Sequence, residues 1–228
     1  MIQNYNLNEE QKDLLFGSLL GDGNLATETQ GRTVRYRALQ QEKQKDYLMH
    51  KYEVLKDLCN SPPIYSDTYD PRTGKTYKRW YFNTRTETSL IFYGNLFYDY
   101  NSQSKKFVKK VPLKVEKFLT PRAVAYWYMD DGSLKSKGKS NAMRISTEGF
   151  KPEEVTRLRN ALLSKFNIKT SAHKKHRVVK VNGIETRNYV GDIIYIPEES
   201  SSAFRELIKP YLIDCMRYKV SDGNYGTL

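Results

Sequence analysis

Two short runs place an acid and a glycine together at the end of a predicted helix. They are Gly21-Asp22-Gly23 and Asp130-Asp131-Gly132. The C-terminal end of a helix carries partial negative charge, so an aspartate there is disfavoured by about 0.3–1 kcal/mol. A bound cation reverses that sign. If the two helices pack side by side and parallel, Asp22 and Asp131 meet at one end, where two carboxylates repel unless one is protonated or a hard divalent ion lies between them. Mg²⁺ held by carboxylates and phosphate oxygens is the expected chemistry. A single Asp-Gly commonly does no more than start a turn. The same arrangement in both halves of a basic chain favours the shared cation.

The chain has 228 residues, with 38 Lys+Arg against 26 Asp+Glu and a net charge of +12. Such a charge, with 18 tyrosines among 13% aromatics, points to a nucleic-acid partner and excludes a disordered basic tail. No apolar run approaches the roughly 18 residues that span a bilayer, and the first 30 residues show no secretory pattern. Cys59 and Cys215 are too few for a disulfide framework or zinc ribbon, and His50, His173 and His176 too few for a histidine-rich metal site. No Ser, Cys or His is arranged for covalent catalysis, which favours attack by water.

The positioning elements follow from periodicity. Asn8 and Gln11 form a capping-box pattern before Leu14, Leu15, Phe16, Leu19 and Leu20. A second helix is expected over Lys45–Leu58, a hairpin over Ile64–Tyr69 and Lys75–Thr84, and a third helix over Glu87–Tyr98. The pattern then repeats. Thr120 caps a helix with Pro121 at its first position, and a short hairpin, a helix over Pro152–Phe166, a long hairpin turning at Val181-Asn182-Gly183-Ile184 and a last helix over Ser202–Leu212 follow. The fold class is therefore α+β, with two α-β-β-α-β-β-α repeats: residues 1–99, a lysine-dense linker at 100–119, and residues 120–228. Gly17 and Gly21 have the spacing that lets helix backbones approach closely.

Leu15–Gly23 (LFGSLLGDG) and Val124–Gly132 (VAYWYMDDG) resemble the paired motifs of the LAGLIDADG homing endonucleases. The flanking LTPRAVAYWYMDDGSLK (Leu119–Lys135), KKVP (Lys109–Pro112) and LIKPYLIDCMRYK (Leu207–Lys219) are similar to the omega-intron type, and the likeness covers nearly the whole chain. The resemblance implies a monomer with pseudo-twofold symmetry, the motif helices at the interface and two antiparallel sheets forming a saddle over DNA. It implies that the eighth motif residues, Asp22 and Asp131, bind metal, that Asp130 is secondary, and that one lysine per half works beside them. Lys109 and Lys219 match those positions, with Lys110 as a one-residue alternative to Lys109 and phosphate contact as an alternative role. Leu20 and Met129 stand where the sixth-position aspartate is usual, and Tyr126 where the third-position glycine is, which bears on how closely the helices pack.

The implied activity is site-specific, Mg²⁺-dependent hydrolysis of both strands of duplex DNA at a long asymmetric target, leaving short 3′ overhangs and supporting intron mobility. Intron RNA maturation on the same fold is the alternative, and non-catalytic DNA binding a third. An organelle-encoded protein fits, as does a bacterial intron. DNA readout is expected on the strands. Lys75, Tyr77, Arg79, Tyr81, Asn83 and Arg85 fall on one face by period two, and Arg35 and Arg37 share a face on an earlier strand. Lys174, Lys175, His176, Arg177, Lys180 and Arg187 cluster with His173 around the long hairpin. His173 and His176 read as surface residues, not metal ligands.

Overall fold

The computed structural model describes residues 6–136, 138–181 and 184–220. The first half runs α1 (Glu9–Leu20), β1 (Asn24–Ala26), β2 (Arg35–Gln41), α2 (Lys45–Leu55), β3 (Ile64–Asp70), β4 (Lys75–Asn83) and α3 (Thr88–Phe97). A hairpin of β5 (Tyr98–Asn101) and β6 (Lys106–Lys109) follows. The second half runs α4 (Pro121–Asp131), β7 (Gly132–Ser136), β8 (Ser140–Ile145), α5 (Pro152–Phe166), β9 (Ser171–Val181), β10 (Ile184–Ile196) and α6 (Glu198–Ile208). The expected α-β-β-α-β-β-α order is present in both halves. Each half builds one antiparallel sheet, β1-β2-β4-β3 and β7-β8-β10-β9, so the strand order is the same twice. Asn182 and Gly183, the turn expected for the long hairpin, lie outside the described residues.

α1 and α4 form the centre. Asn8 Oδ1 accepts from the Gln11 amide at 2.9 Å while Gln11 Oε1 accepts from the Asn8 amide at 3.1 Å, closing the capping box. Thr120 Oγ1 accepts from the Ala123 amide at 3.0 Å and donates to Asp13 Oδ1 at 2.7 Å, which ties the starts of the two helices together. Every residue from Leu14 to Leu20 and from Ala123 to Asp130 is buried. A helix walled in on all sides needs no polar face, so neither motif is amphipathic in the usual sense. Each fully buried large apolar side chain contributes about 1.5–3 kcal/mol.

Glycine on α1 faces bulk on α4. A Cβ on Gly17 would lie 2.2 Å from the Ala123 carbonyl oxygen and 2.7 Å from Tyr126 Cβ, and one on Gly21 would lie 2.5 Å from Asp130 Cβ. The helices thus pack closely despite Tyr126. Its ring finds room beside α2, where Tyr126 Oη and His50 Nε2 are 2.8 Å apart.

The segment at 100–119 contains part of a hairpin, in which Asn101 Oδ1 accepts from the amides of Gln103 and Ser104 and folds a turn that pairs Tyr98 with Lys109. Both bounds of the last helix differ from expectation. The last helix begins at Glu198, four residues before Ser202, since Pro197 halts β10 and two glutamates suit the helix start. It ends at Ile208, and a separate 3₁₀ turn over Asp214–Lys219 carries Lys219. Cys59 and Cys215 are both free thiols. Among the described residues no helix is long and apolar enough to cross a membrane.

Candidate active site

The C-terminal ends of α1 and α4 come together, and each is followed by its aspartate or ends in it. Asp22 is exposed, and Gln40 Nε2 donates to its Oδ2 at 3.4 Å. Asp131 is half-buried, with its carbonyl taking the Ser146 amide at 3.0 Å. Burial, with the charges of Asp22 and Asp130 next, lifts the Asp131 carboxyl from 3.8 to about 8, against the opposing pull of Lys109 and Lys219.

Two lysines close the helix ends. Lys109 Nζ, delivered by the last residue of β6, donates to the carbonyls of Gly21 and Gly23, both at 2.8 Å. Lys219 Nζ donates to the carbonyl of Asp130 at 2.8 Å. Gly21 and Asp130 are the seventh residues of their motifs, so the lysines occupy equivalent places in the two halves. A cation on orphan carbonyls also opposes the helix dipole. Burial pushes Lys109 down to about 8, and pushes Lys219 down too, while the three aspartates pull the other way. The backbone of Lys219 is itself held, since Tyr128 Oη donates to its carbonyl at 3.0 Å. Lys110 turns away and forms a surface ion pair with Asp99. The geometry therefore brings Lys109, and not Lys110, to the aspartates.

The carboxylates suit a divalent cation. Two acids gathered at two negative helix ends, one of them strongly disfavoured as a charged group, form a donor set that a hard cation satisfies. Among the described residues no group of three or more His, Cys, Asp or Glu is poised for a metal, so other oxygens must complete any coordination shell.

Asp22 opens onto the outer face of the first sheet through a small cavity lined by Asn24, Arg37, Tyr81 and Asn83. Register places Arg37 opposite Asn83, Leu39 opposite Tyr81 and Gln41 opposite Arg79, so these side chains share that face. Tyr77 joins them, with Arg79 5.5 Å above its ring. Lys75, at the exposed start of β4, lies in the same alternation. Tyr36, Ala38 and Phe82 point into the core instead. Arg35 is on the outer face but ion-paired with Glu28. Arg85 lies beyond the end of β4, with its amide on the Leu58 carbonyl and its side chain paired to Glu87, so the structure does not bring it into the row.

The long hairpin divides its basic residues. Ile194 and Ile196 are core, so Tyr195 and its neighbour Arg144 face outward. His173 stacks on Tyr195 with centroids 4.4 Å apart, which puts Lys175 and Arg177 on that same outer face. Lys174, His176, Lys180 and Arg187 fall on the opposite face, with His176 paired to Tyr189 and Arg187 to Val178. Lys175 is ion-paired with Glu148. Sequence reasoning missed Lys135, Arg144 and Tyr195, whose signal is the alternation with core residues Met143, Ile145 and Ile194 and with the partly buried Leu134. It also missed Lys51, whose Nζ lies 2.6 Å from Asp130 Oδ1 in the interior.

Residues 12–204 match the model of the LAGLIDADG DNA endonuclease family. The DNA endonuclease I-ChuI of Chlamydomonas applanata is 53% identical over 224 residues, 97% of this chain and 99% of that protein. The cytochrome b mRNA maturase bI2 of Saccharomyces cerevisiae is 30% identical over 96% of this chain and 48% of its own length. The solved structure of the homing endonuclease I-WcaI bound to its DNA recognition sequence superposes with a TM-score of 0.79 at 27% identity, covering 95% of this chain and 88% of that one.

Proposed function

From the premise that this chain belongs to the LAGLIDADG DNA endonuclease family and is a site-specific homing endonuclease, we propose that Asp22, Asp131, Lys109 and Lys219 cut both strands of duplex DNA by water attack. The observation that carries this reading is the doubled arrangement of an aspartate at a helix end with a lysine on the carbonyl of the motif's seventh residue.

Asp22 and Asp131 would hold the divalent cation, with Mg²⁺ the expected ion. When bound there, such an ion supplies charge neutralisation at the scissile phosphate and acidity to a coordinated water. The residues of the chain do the rest. Lys109 has three N–H donors and spends two on carbonyls, which leaves one for a phosphate oxygen or the attacking water. Lys219 spends one donor on the Asp130 carbonyl and turns the remainder to the second strand. Both stabilise charge that grows in the transition state. Arg37, Arg79 and Arg177, with Tyr77, Tyr81, Asn83, Arg144 and Tyr195, form the readout surface, and Arg is the residue suited to bidentate contact with guanine. Exposed lysines such as Lys75 and Lys175 suit phosphates. Cuts across the minor groove leaving short 3′ overhangs, a long asymmetric target and an organelle-encoded origin complete the proposal. One chain carries both motif helices, so a monomer is sufficient.

The test is cleavage of a randomised duplex library with Mg²⁺ and with Ca²⁺, beside Asp22→Asn and Asp131→Asn. Discrete Mg²⁺-dependent cutting, lost in both variants, supports the assignment and yields the target. Specific binding without cutting in any metal overturns it. A maturase-like role on intron RNA is the second reading, favoured by the maturase relative, and specific RNA binding in the same assay would reveal it.

A further inference from the structure

Asp130 and Lys51 form an ion pair that the cleavage chemistry above does not use. Their side chains are 0% and 1% exposed, and Nζ lies 2.6 Å from Oδ1. Lys51 belongs to α2 of the first half and Asp130 to α4 of the second, so the pair crosses the pseudo-twofold interface. Burial opposes the Lys51 charge, but Asp130, Tyr36 and Asp22 together outweigh it and hold the ammonium above its ordinary value, while burial also raises the Asp130 carboxyl against the pull of Lys51. Nζ also lies 4.4 Å above the Tyr47 ring, whose Oη donates to the Tyr126 carbonyl at 3.4 Å.

The pair sits one residue from Asp131. Asp130 is gripped twice, by Lys51 at its side chain and by Lys219 at its carbonyl. The equivalent residue of the first motif is Gly21, which has no side chain and is gripped at its carbonyl alone, by Lys109. A buried ion pair is a poor device for stability, because the desolvation cost offsets most of the attraction. It is a good device for register, because a buried charge tolerates one partner geometry and few others.

Resting on the endonuclease reading, we propose that Lys51–Asp130 is a positioning pair that aligns Asp131 and Lys219 for one of the two strand cuts. Asp22 and Lys109 take their hydrogen bonds elsewhere, from Gln40 and to the Gly21 and Gly23 carbonyls. Loss of the pair then slows one strand selectively, and the enzyme becomes a nickase.

The test uses the full chain and a supercoiled plasmid carrying the target selected by the wild-type protein; failure of the wild type to cut would sink the endonuclease reading and not the pair. Lys51→Met alone leaves Asp130 buried without its partner and is used only for comparison. In Lys51→Met/Asp130→Ala both charges are gone. This variant should keep its melting temperature within a few degrees and its Ca²⁺-supported DNA affinity within about threefold. It should cut one strand at the wild-type rate and the other at least thirtyfold more slowly, so that open-circular DNA accumulates. Strand-specific end labels should place the slow cut on the same strand that Lys219→Met slows. If this variant does not fold, Lys51→Met/Asp130→Gly, which copies Gly21 across the interface, is read in the same assay. Wild-type linearisation by a folded double variant overturns the proposal, as does equal slowing of both strands.

Discussion

Lys109 and Lys110 are neighbours whose side chains part company. Lys109 Nζ reaches the carbonyls of Gly21 and Gly23, while Lys110 Nζ pairs with Asp99 at the surface. Strand alternation at the end of β6 separates them. Lys109→Met is expected to lower the rate of double-strand cleavage at least a hundredfold. Lys110→Met should change it less than threefold, because exposed ion pairs contribute about 0–1 kcal/mol. Single-turnover rates on the selected target check both.

Asp22→Asn and Asp131→Asn should each abolish double-strand cleavage, with a rate loss of at least a thousandfold. Target affinity in Ca²⁺ should stay within about tenfold, because the sheets and not the carboxylates supply the DNA contacts. Cleavage by Asp131→Asn at the wild-type rate would remove Asp131 from the mechanism.

The raised carboxyl of Asp131 gives the metal site a pH dependence with a definite sign. With its folded value at about 8, Asp131 is mainly protonated at pH 7 when no metal is bound. Binding a cation requires the carboxylate and so expels a proton. Metal affinity should therefore rise by up to about tenfold per pH unit from pH 6 towards 8 and level off above that. The metal-free fold behaves in the opposite sense. Its Asp131 holds a proton that the unfolded chain releases near 4, so stability contributed by this group is lost as pH rises from about 4 through 8. Calorimetry in buffers of different ionisation enthalpy should detect the proton release at pH 7, and Asp131→Asn should abolish that component.

The two faces of β9 separate recognition from bystander charge. Arg177→Ala should weaken target binding by about 1–3 kcal/mol and relax preference at one position of the site. Lys180→Ala, on the opposite face, should cost less than about 0.5 kcal/mol. Competition binding across a salt series measures both, and equal losses would show that the hairpin contacts DNA through its two faces.

Gly17→Ala should destabilise without touching the site, since its Cβ would sit 2.2 Å from the Ala123 carbonyl oxygen. Overpacking of this kind costs about 1–3 kcal/mol. For a chain of this length that lowers Tm by about 2–4 °C per kcal/mol, measurable by thermal denaturation.

What the sequence made legible follows its periodicity. Asn8, Gln11, Thr120 and Pro121 announce the two motif helices by local rules, and the repeated acid and glycine announce the site. The hairpin that delivers Lys109 escaped because Phe107 and Val108 are consecutive and both exposed, so no alternation stands out among its lysines. The division of the long hairpin escaped because both of its faces are exposed near the tip, and Val178 and Val179 put one valine on each, so apolar alternation marks neither. Lys51 reads as a solvent charge in isolation. Its place between Leu48 and Leu55 on the buried stripe of α2 was the available signal, but a single lysine has no visible partner until Asp130 arrives from 79 residues away.

The facing of Gly17 with Tyr126, and of Gly21 with Asp130, makes the two halves complementary and no longer equivalent. A homodimer of the second half would set tyrosine against tyrosine and carboxylate against carboxylate. One built from the first half would leave empty space at both levels. Exact twofold symmetry is thus closed off at two glycines and the two side chains they face. Any recombined enzyme that exchanges one half for a relative's must therefore match glycine to bulk at both levels, so a sheet can bring its target preference to a new partner only when its motif helix fits the other.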